Sequence, residues 1–374
     1  MHRLKNQALA IALGSAVAGG LALAGAASAS AATLPGSASA HGWVYTSTNA
    51  TTGNQVDVFA RAANGTLTPA GTYSTGGIGS GASGFSQGSV TLSPDGGTLL
   101  VVNAGSNQVS DFAVLPGGVL RLRNVVASGG TDPISVAVNG GLAAVLNAGG
   151  TANVTGFRAG FAGLTAIAGG SQPLSAGASS PEDVAISPDD GHVVVTEKVS
   201  DTVDTFAVGR GGTLGPAVTS PSDSALSFAE VFTPSGQLLV ADDGAAGTSA
   251  LSAYRIKPTG TLSATQAAVS DGQTAACWVA IAPRDGDVFV DNAGSGTVSS
   301  YQVSPFGRVT FVGNTSVGSS AKPLDDAVSS DGRDLYVFNA AQDQLAEFSV
   351  GPDAQLTAAG TQALPAGSAG VAAS

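Results

Sequence analysis

Val90-Thr91-Leu92-Ser93-Pro94-Asp95-Gly96-Gly97-Thr98-Leu99-Leu100-Val101-Val102-Asn103, followed by Gln108-Val109-Ser110-Asp111-Phe112, decides the fold. An aliphatic run meets a Ser-Pro-Asp-Gly turn, and a second aliphatic run ends at an Asn. A third run, closing on an aromatic, follows. Pro presets one turn dihedral and Gly supplies a positive one, so the first two runs read as a hairpin. The unit recurs. The hairpin returns at Val184 to Glu197, Val279 to Asn292 and Ala327 to Asn339. The aromatic run returns with Phe59, Phe112, Phe157, Phe206, Tyr254, Tyr301 and Phe348, at intervals of 53, 45, 49, 48, 47 and 47 residues. A further turn and aliphatic start, as in Asn64-Gly65-Thr66-Leu67, follow each aromatic.

Four short strands in about 48 residues, seven times over, predict an all-β, seven-bladed β-propeller with four-stranded blades. The Val/Leu/Ile runs are nearly continuous, as suits strands buried on both faces. No stretch of the chain after the leader carries helical periodicity. The first unit begins at Gly42-Trp43-Val44-Tyr45 without a preceding strand, and the chain ends on Ala369-Gly370-Val371-Ala372-Ala373-Ser374. The C-terminal segment is therefore expected to supply the missing innermost strand and close the ring.

Composition agrees. Of 374 residues, 53 are Gly and 17 are Pro, and only 11% are charged, against about a quarter in an average chain. The 14 basic and 26 acidic residues leave a charge of −12, which disfavours nucleic acid and anionic membranes. A single cysteine, Cys277, excludes an intramolecular disulfide. Its place beside Trp278 in an apolar run predicts a buried, inert thiol.

The leader carries a separate message. Met1-His2-Arg3-Leu4-Lys5 is basic, Ala8 to Ala24 is uncharged and apolar, and Ala27-Ser28-Ala29 and Ala29-Ser30-Ala31 are small. That order predicts a signal peptide over 1–31, a linker over 32–41 and one propeller over 42–374. Cleavage would leave 12 basic and 26 acidic residues, a charge of −14, in a secreted monomer with no membrane span.

Several patterns carry little. Gly79 to Gly84 has GxGxxG spacing, but a strand follows where a helix is needed. Gly84-Phe85-Ser86-Gln87-Gly88 has GxSxG spacing, but the mature chain offers only His41 and His192 as partners. Asn49, Asn64, Asn153 and Asn314 stand in Asn-x-Ser/Thr sequons, where Asn reads first as a turn residue.

In a propeller, the loops between second and third strands share a face with the entries to the inner strands. The second strands are expected to end at Asn49, Asn103, Asn147, Glu197, Asp242, Asn292 and Asn339. Such residues either close loops through backbone amides or present oxygens to a ligand. The inner-strand entries add Ser89, Ser135, Glu182, Asp183, Phe228, Cys277, Trp278, Leu324, Asp325 and Asp326. Acid thus gathers on two blades. Glu197 and Asp183 are the candidate catalytic carboxylates. Glu182, Asn103, Asn147, Asn292, Asn339, Trp278 and Asp325 are candidate substrate contacts. Glu197 and Asp242 are candidate ligands for a hard cation such as Ca2+.

The Ser93 to Gly96 hairpins, the Leu335-Tyr336-Val337-Phe338-Asn339 second strand and the Gly-Thr-Leu turns resemble the seven-bladed lactonase family, over about residues 42 to 374. That family is similar to bacterial 6-phosphogluconolactonase and fungal carboxymuconate cyclase. The second-strand ends also resemble the Tyr-Val-Thr-Asn repeats of surface-layer propellers. The resemblance implies lactone hydrolysis by a secreted bacterial member, with a His, an Arg and a Glu around a central pocket. Glu197 matches the family Glu. The family's fourth-blade Pro-Arg-His reads Pro181-Glu182-Asp183, and the seventh-blade Pro-Arg-Asn reads Pro323-Leu324-Asp325. With both basic positions gone, a phosphorylated sugar is a poor fit. The sequence leaves two readings: a lactonase for a carbohydrate-like lactone, and a non-catalytic propeller that binds a cell-surface or extracellular partner.

Overall fold

A computed structural model describes residues 40–82, 87–175, 180–244, 247–283 and 286–374. The expected signal peptide, the linker up to residue 39, and most of the GxSxG stretch lie outside these. Seven four-stranded antiparallel sheets form the ring. The inner strands of blades 2 to 7 are Val90–Leu92, Thr131–Asn139, Pro181–Ile186, Ser227–Phe232, Ala276–Ile281 and Pro323–Val328. The inner strand of blade 1 is Ala369–Ala373, which pairs with Gly42–Ser47 through Val44↔Ala373, Tyr45↔Ala372 and Thr46↔Val371. The expected closure by the C-terminus is therefore observed.

Burial falls from the second strands outward. The second strands of blades 5 and 6, Leu238–Asp242 and Asp287–Asn292, are buried at every position, because each lies between two neighbouring blades. Outer strands such as Val309–Ser316 alternate between exposed and partly covered. This layering accounts for the low charge content: only the outer strands and the loops need polar side chains. All seven recurring aromatics lie on third strands and are at most 4% exposed. Six of the seven sit directly beside a register shift against the outer strand, as between Asp111 and Phe112 or Ser300 and Tyr301. The bulge lets one large ring fill the space between blades.

The Ser-Pro-Asp-Gly turns are built as their residues require. In blade 2, Ser93 Oγ donates to Asp95 Oδ1 at 2.5 Å, and Thr98 N donates to Ser93 Oγ at 2.9 Å. Gly96 takes a φ of +70°, and its N–H donates to Ser93 O at 2.8 Å. Blade 4 repeats this with Ser187, Asp189 and His192. His192 therefore opens a second strand whose other end is Glu197, and lies at the opposite face of the ring. Blade 1 differs from the sequence expectation: its second strand ends at Ser47, and Asn49 sits in the turn with a φ of +49°. Thr48 occupies the place that Asn103 holds in blade 2.

The seam between blades 7 and 1 carries its own polar fastening. Arg61 on the third strand of blade 1 is 2% exposed. Its guanidinium meets Asp334 Oδ2 at 2.5 Å and Asp331 Oδ2 at 3.0 Å on blade 7, and donates to His41 O at 3.0 Å. Tyr336 Oη donates to Gly65 O at 2.8 Å across the same seam. Among the described residues no helix is long and apolar enough to cross a membrane.

Candidate functional site

Register decides which side chains reach the axis. In blades 3 to 7 the inner strand slips against the second strand at its mouth end. Pro133 faces Asn147, yet Ser135 faces Leu146; Ala276 faces Asn292, yet Trp278 faces Asp291; Pro323 faces Asn339, yet Asp325 faces Phe338. Blades 4 and 5 slip likewise, between Pro181 and Val184 and between Ser227 and Glu230. Each slip is a bulge, and a bulge re-aims the side chain it carries. Ile134, Glu182, Phe228, Cys277 and Leu324 lie within these bulges. All five line one cavity of about 550 Å³ at the mouth of the ring, together with Trp278, Lys198, Lys322 and Asp132.

Four of these groups form a unit. Lys198 Nζ lies 2.6 Å from Glu182 Oε1 and 4.3 Å from the centroid of the Phe228 ring. The Phe228 and Trp278 rings are 6.1 Å apart, tilted by 48°. An ammonium over an aromatic face and beside a carboxylate is held on two sides; the ring contact contributes about 0.5–1 kcal/mol. Burial raises the Glu182 carboxyl above its ordinary range, opposed by its bonds to Lys198 and Ser180. The wall thus combines a flat apolar surface with one ion pair, suited to a small ring bearing polar oxygens.

Of the residues expected at this rim, Glu182 and Trp278 stand on the cavity wall. Asp183 and Asp325 fasten neighbouring blades behind it. Asp183 accepts from Ser135 Oγ at 2.8 Å and from Glu230 N at 3.3 Å, and Asp325 accepts from Val371 N at 3.2 Å. Both are buried, and burial raises both carboxyls. Glu197 is fully buried, and Ser175 Oγ donates to its Oε1 at 3.3 Å. Asp242 accepts from Ser252 at 2.5 Å, Ser227 at 2.9 Å and Ser222 at 3.3 Å. Burial nonetheless pushes its carboxyl up to about 7.

The four Asn residues close loops. Asn103 donates to Ser110 Oγ at 2.8 Å and accepts from Thr75 Oγ1 at 2.8 Å and Asn54 Nδ2 at 3.0 Å. Asn147 donates to Ser128 O, Asn292 to Ser299 Oγ, and Asn339 accepts from Lys322 N. Among the described residues, no group of three or more His, Cys, Asp and Glu side chains is placed to hold a metal ion. Glu197 and Asp242 stand on different blades, the fourth and the fifth.

Lys198 carries no motif of its own in the sequence, where it simply follows Glu197. The strand ends at Glu197, so the next residue leaves the sheet at the mouth. Cys277 is 5% exposed, and burial raises its thiol, as an inert cysteine requires.

No protein-family model matches the chain, and no curated protein matches its sequence. Solved structures do match. The periplasmic gluconolactonase of Pseudomonas aeruginosa superposes with a TM-score of 0.69 at 18% identity, over 88% of this chain and 98% of that one. A functionally unknown protein of Desulfotomaculum acetoxidans gives 0.68 at 15% identity, over 89% and 98%. A protein of Bacteroides uniformis, provisionally assigned as a 6-phosphogluconolactonase, gives 0.66 at 17% identity, over 86% and 96%. By blade count, ring closure and these superpositions, the chain has the seven-bladed, lactonase-like propeller fold.

Proposed function

We propose that the chain is a secreted hydrolase that opens a small, carbohydrate-like lactone in the mouth cavity. One observation carries the reading: a lysine and a buried carboxylate, 2.6 Å apart, stand beside two aromatic rings on the wall of this cavity. The likeness to a gluconolactonase in fold supports it.

The chemistry follows from the groups. The lactone ring lies against Trp278 and Phe228, with its carbonyl toward Lys198. Glu182 takes a proton from water, and the hydroxide attacks the carbonyl carbon. The oxygen that gains negative charge sits by the Lys198 ammonium, a fixed charge in a partly dehydrated site. The C–O ring bond then breaks, the alkoxide takes the proton from Glu182, and a hydroxy acid is released. A base raised above the ordinary carboxylate range is better matched to proton transfer near neutral pH.

One observation favours the second reading, a binding propeller without turnover. Among the described wall residues there is neither His nor Arg, and Lys198 holds Glu182 in an ion pair.

The test is hydrolysis of glucono-δ-lactone and a panel of simple γ- and δ-lactones by the purified mature protein, followed by proton release. Glu182→Gln and Lys198→Met should each lower kcat/KM about a hundredfold or more. Glu197→Gln should leave kcat largely unchanged. No turnover across the panel removes the hydrolase and leaves the binding reading. Secretion is checked separately, by the N-terminus of the protein recovered from culture medium, expected near residue 31.

A further inference from the structure

The connection from the outer strand of blade 1 to the inner strand of blade 2 spans fifteen residues, between Ser74 and Val90. The other six such connections span three to seven. This surplus underlies the 53-residue interval between the first two aromatics. In this connection Gln87 makes contacts that, among the described residues, no other blade entry makes.

The inner edge of a propeller blade leaves backbone groups facing the axis. At Val279, on blade 6, both are taken by one side chain: Gln87 Nε2 donates to Val279 O at 2.6 Å, and Val279 N donates to Gln87 Oε1 at 3.0 Å. At Val136, on blade 3, both are taken by the adjoining residues: Val136 N donates to Gly88 O at 2.9 Å, and Thr91 Oγ1 donates to Val136 O at 2.6 Å. Val136 faces Val145 and Val279 faces Val290, two residues before Asn147 and Asn292 respectively, so the two valines stand at the same depth. Blades 3 and 6 lie nearly opposite each other in a ring of seven. Gly88 holds a φ of +74°, and a Cβ there would come 2.8 Å from Ser135 Oγ. Both the left-handed backbone and the close approach call for glycine.

We propose that Gln87 and Gly88 form a crossbar that closes the axial channel directly beneath the mouth cavity, with Gln87 as its positioning and specificity-determining residue. Trp278, on the cavity wall, is the residue immediately before Val279. A primary amide is the side chain that can copy a strand's donor and acceptor together, so it satisfies Val279 without adding charge. With the bar in place the cavity is blind. Ligand and product pass only through the mouth, and the depth available to a ligand is limited by the bar. The specificity consequence rests on the mouth cavity being the ligand site; the closure itself does not.

The two are tested separately. In a Trp43→Phe background Trp278 is the sole indole. Acrylamide quenching of its fluorescence is set in that parent by access through the mouth alone, and is expected to rise in Gln87→Ala, where a second path opens from below. It should also rise in Gln87→Glu, which keeps the bulk but turns a carboxylate onto Val279 O. Gln87→Asn, too short to reach Val279, gives the same reading if the alanine variant fails to fold. Unchanged quenching in variants that keep the parent's circular dichroism overturns the crossbar. For specificity, the kcat/KM ratio of δ-decalactone to δ-valerolactone is expected to rise about tenfold in Gln87→Ala, a size appropriate to removing a steric limit on a hydrocarbon chain. Raised quenching with an unchanged ratio refutes the specificity role and keeps the closure. Raised quenching with no hydrolysis of any lactone keeps the closure and refutes the hydrolase reading.

Discussion

Replacing Arg61 by Met should open the ring at its seam. The side chain is 2% exposed and ties blade 1 to Asp334 and Asp331 of blade 7 at 2.5 and 3.0 Å. Methionine fills most of the volume but leaves Asp334, 3% exposed, without its cation. Removing one partner of a buried pair costs about 3–5 kcal/mol, mainly through the charge left behind. For a chain of this length that corresponds to a fall in Tm of about 4–7 °C.

The loss should depend on pH. Burial already holds the Asp334 carboxyl above its ordinary value despite Arg61. Burial acts on Asp331 as well, but the bonds from Ser329 and Arg61 outweigh it and hold that carboxyl low. Without the guanidinium both rise. An acid raised by folding destabilises above its folded pKa and stops doing so once protonated. Urea unfolding at pH 7.5 should therefore show the full loss, and at pH 4.5 a smaller one. The double variant Arg61→Met/Asp334→Leu should recover most of it, because no buried charge then remains. A loss below about 1 kcal/mol, or an equal loss at both pH values, would refute the argument that the buried charge is what the pair neutralises.

Three further outcomes follow from the same structure. Deleting residues 369–374 strips the inner strand from blade 1 and uncovers Val44 and Tyr45, so Tm should fall sharply; an unchanged melt would contradict closure. Asp183, Glu230, Asp242, Asp291, Asp325 and Asp326 are all raised by burial, Asp242 to about 7, and Glu347 is raised to about 6. The contribution of Asp183, Asp242 and Glu347 is full below the unfolded carboxylate range and is lost as pH rises through about 6–7, so calorimetry should give a higher Tm at pH 5 than at pH 8, with a shallower slope in Asp242→Asn. Asn103→Ala strands the partners of a buried amide and should cost about 1–3 kcal/mol, measured by urea unfolding, while leaving ligand affinity unaltered.

The architecture was legible in the chain because the repeat is written in large features. An aromatic every 48 residues or so, a Pro-Asp-Gly turn before it, and a strand missing at one end and present at the other specify blade count and closure. The site was legible only in part. Trp278 and Glu182 were found, since they lie at strand entries on the expected face. Asp183 and Asp325 were placed on the right strands, but one residue of register separates a side chain that faces the axis from one that fastens the next blade. The bulges that set this register leave no local mark: Pro133-Ile134-Ser135 and Pro323-Leu324-Asp325 are ordinary strand starts in composition. Lys198 was hidden for a similar reason, because its role depends on Phe228, thirty residues away and on another blade. Gln87 left a trace in the long first interval, which a count could register but not interpret.

The inner-strand bulges have an evolutionary consequence. Each of blades 3 to 7 delivers at least one wall residue from a bulge, a position outside the paired register of its own sheet. Exchanging a bulge residue such as Ile134, Phe228 or Leu324 therefore alters the lining while the paired strands and the carboxylates Asp183 and Asp325 behind it stay in place. Chemistry at the mouth can drift one blade at a time, by independent single-codon steps, while the framework stays under constant selection. A ring built this way keeps its shape at 15–18% identity to its structural neighbours.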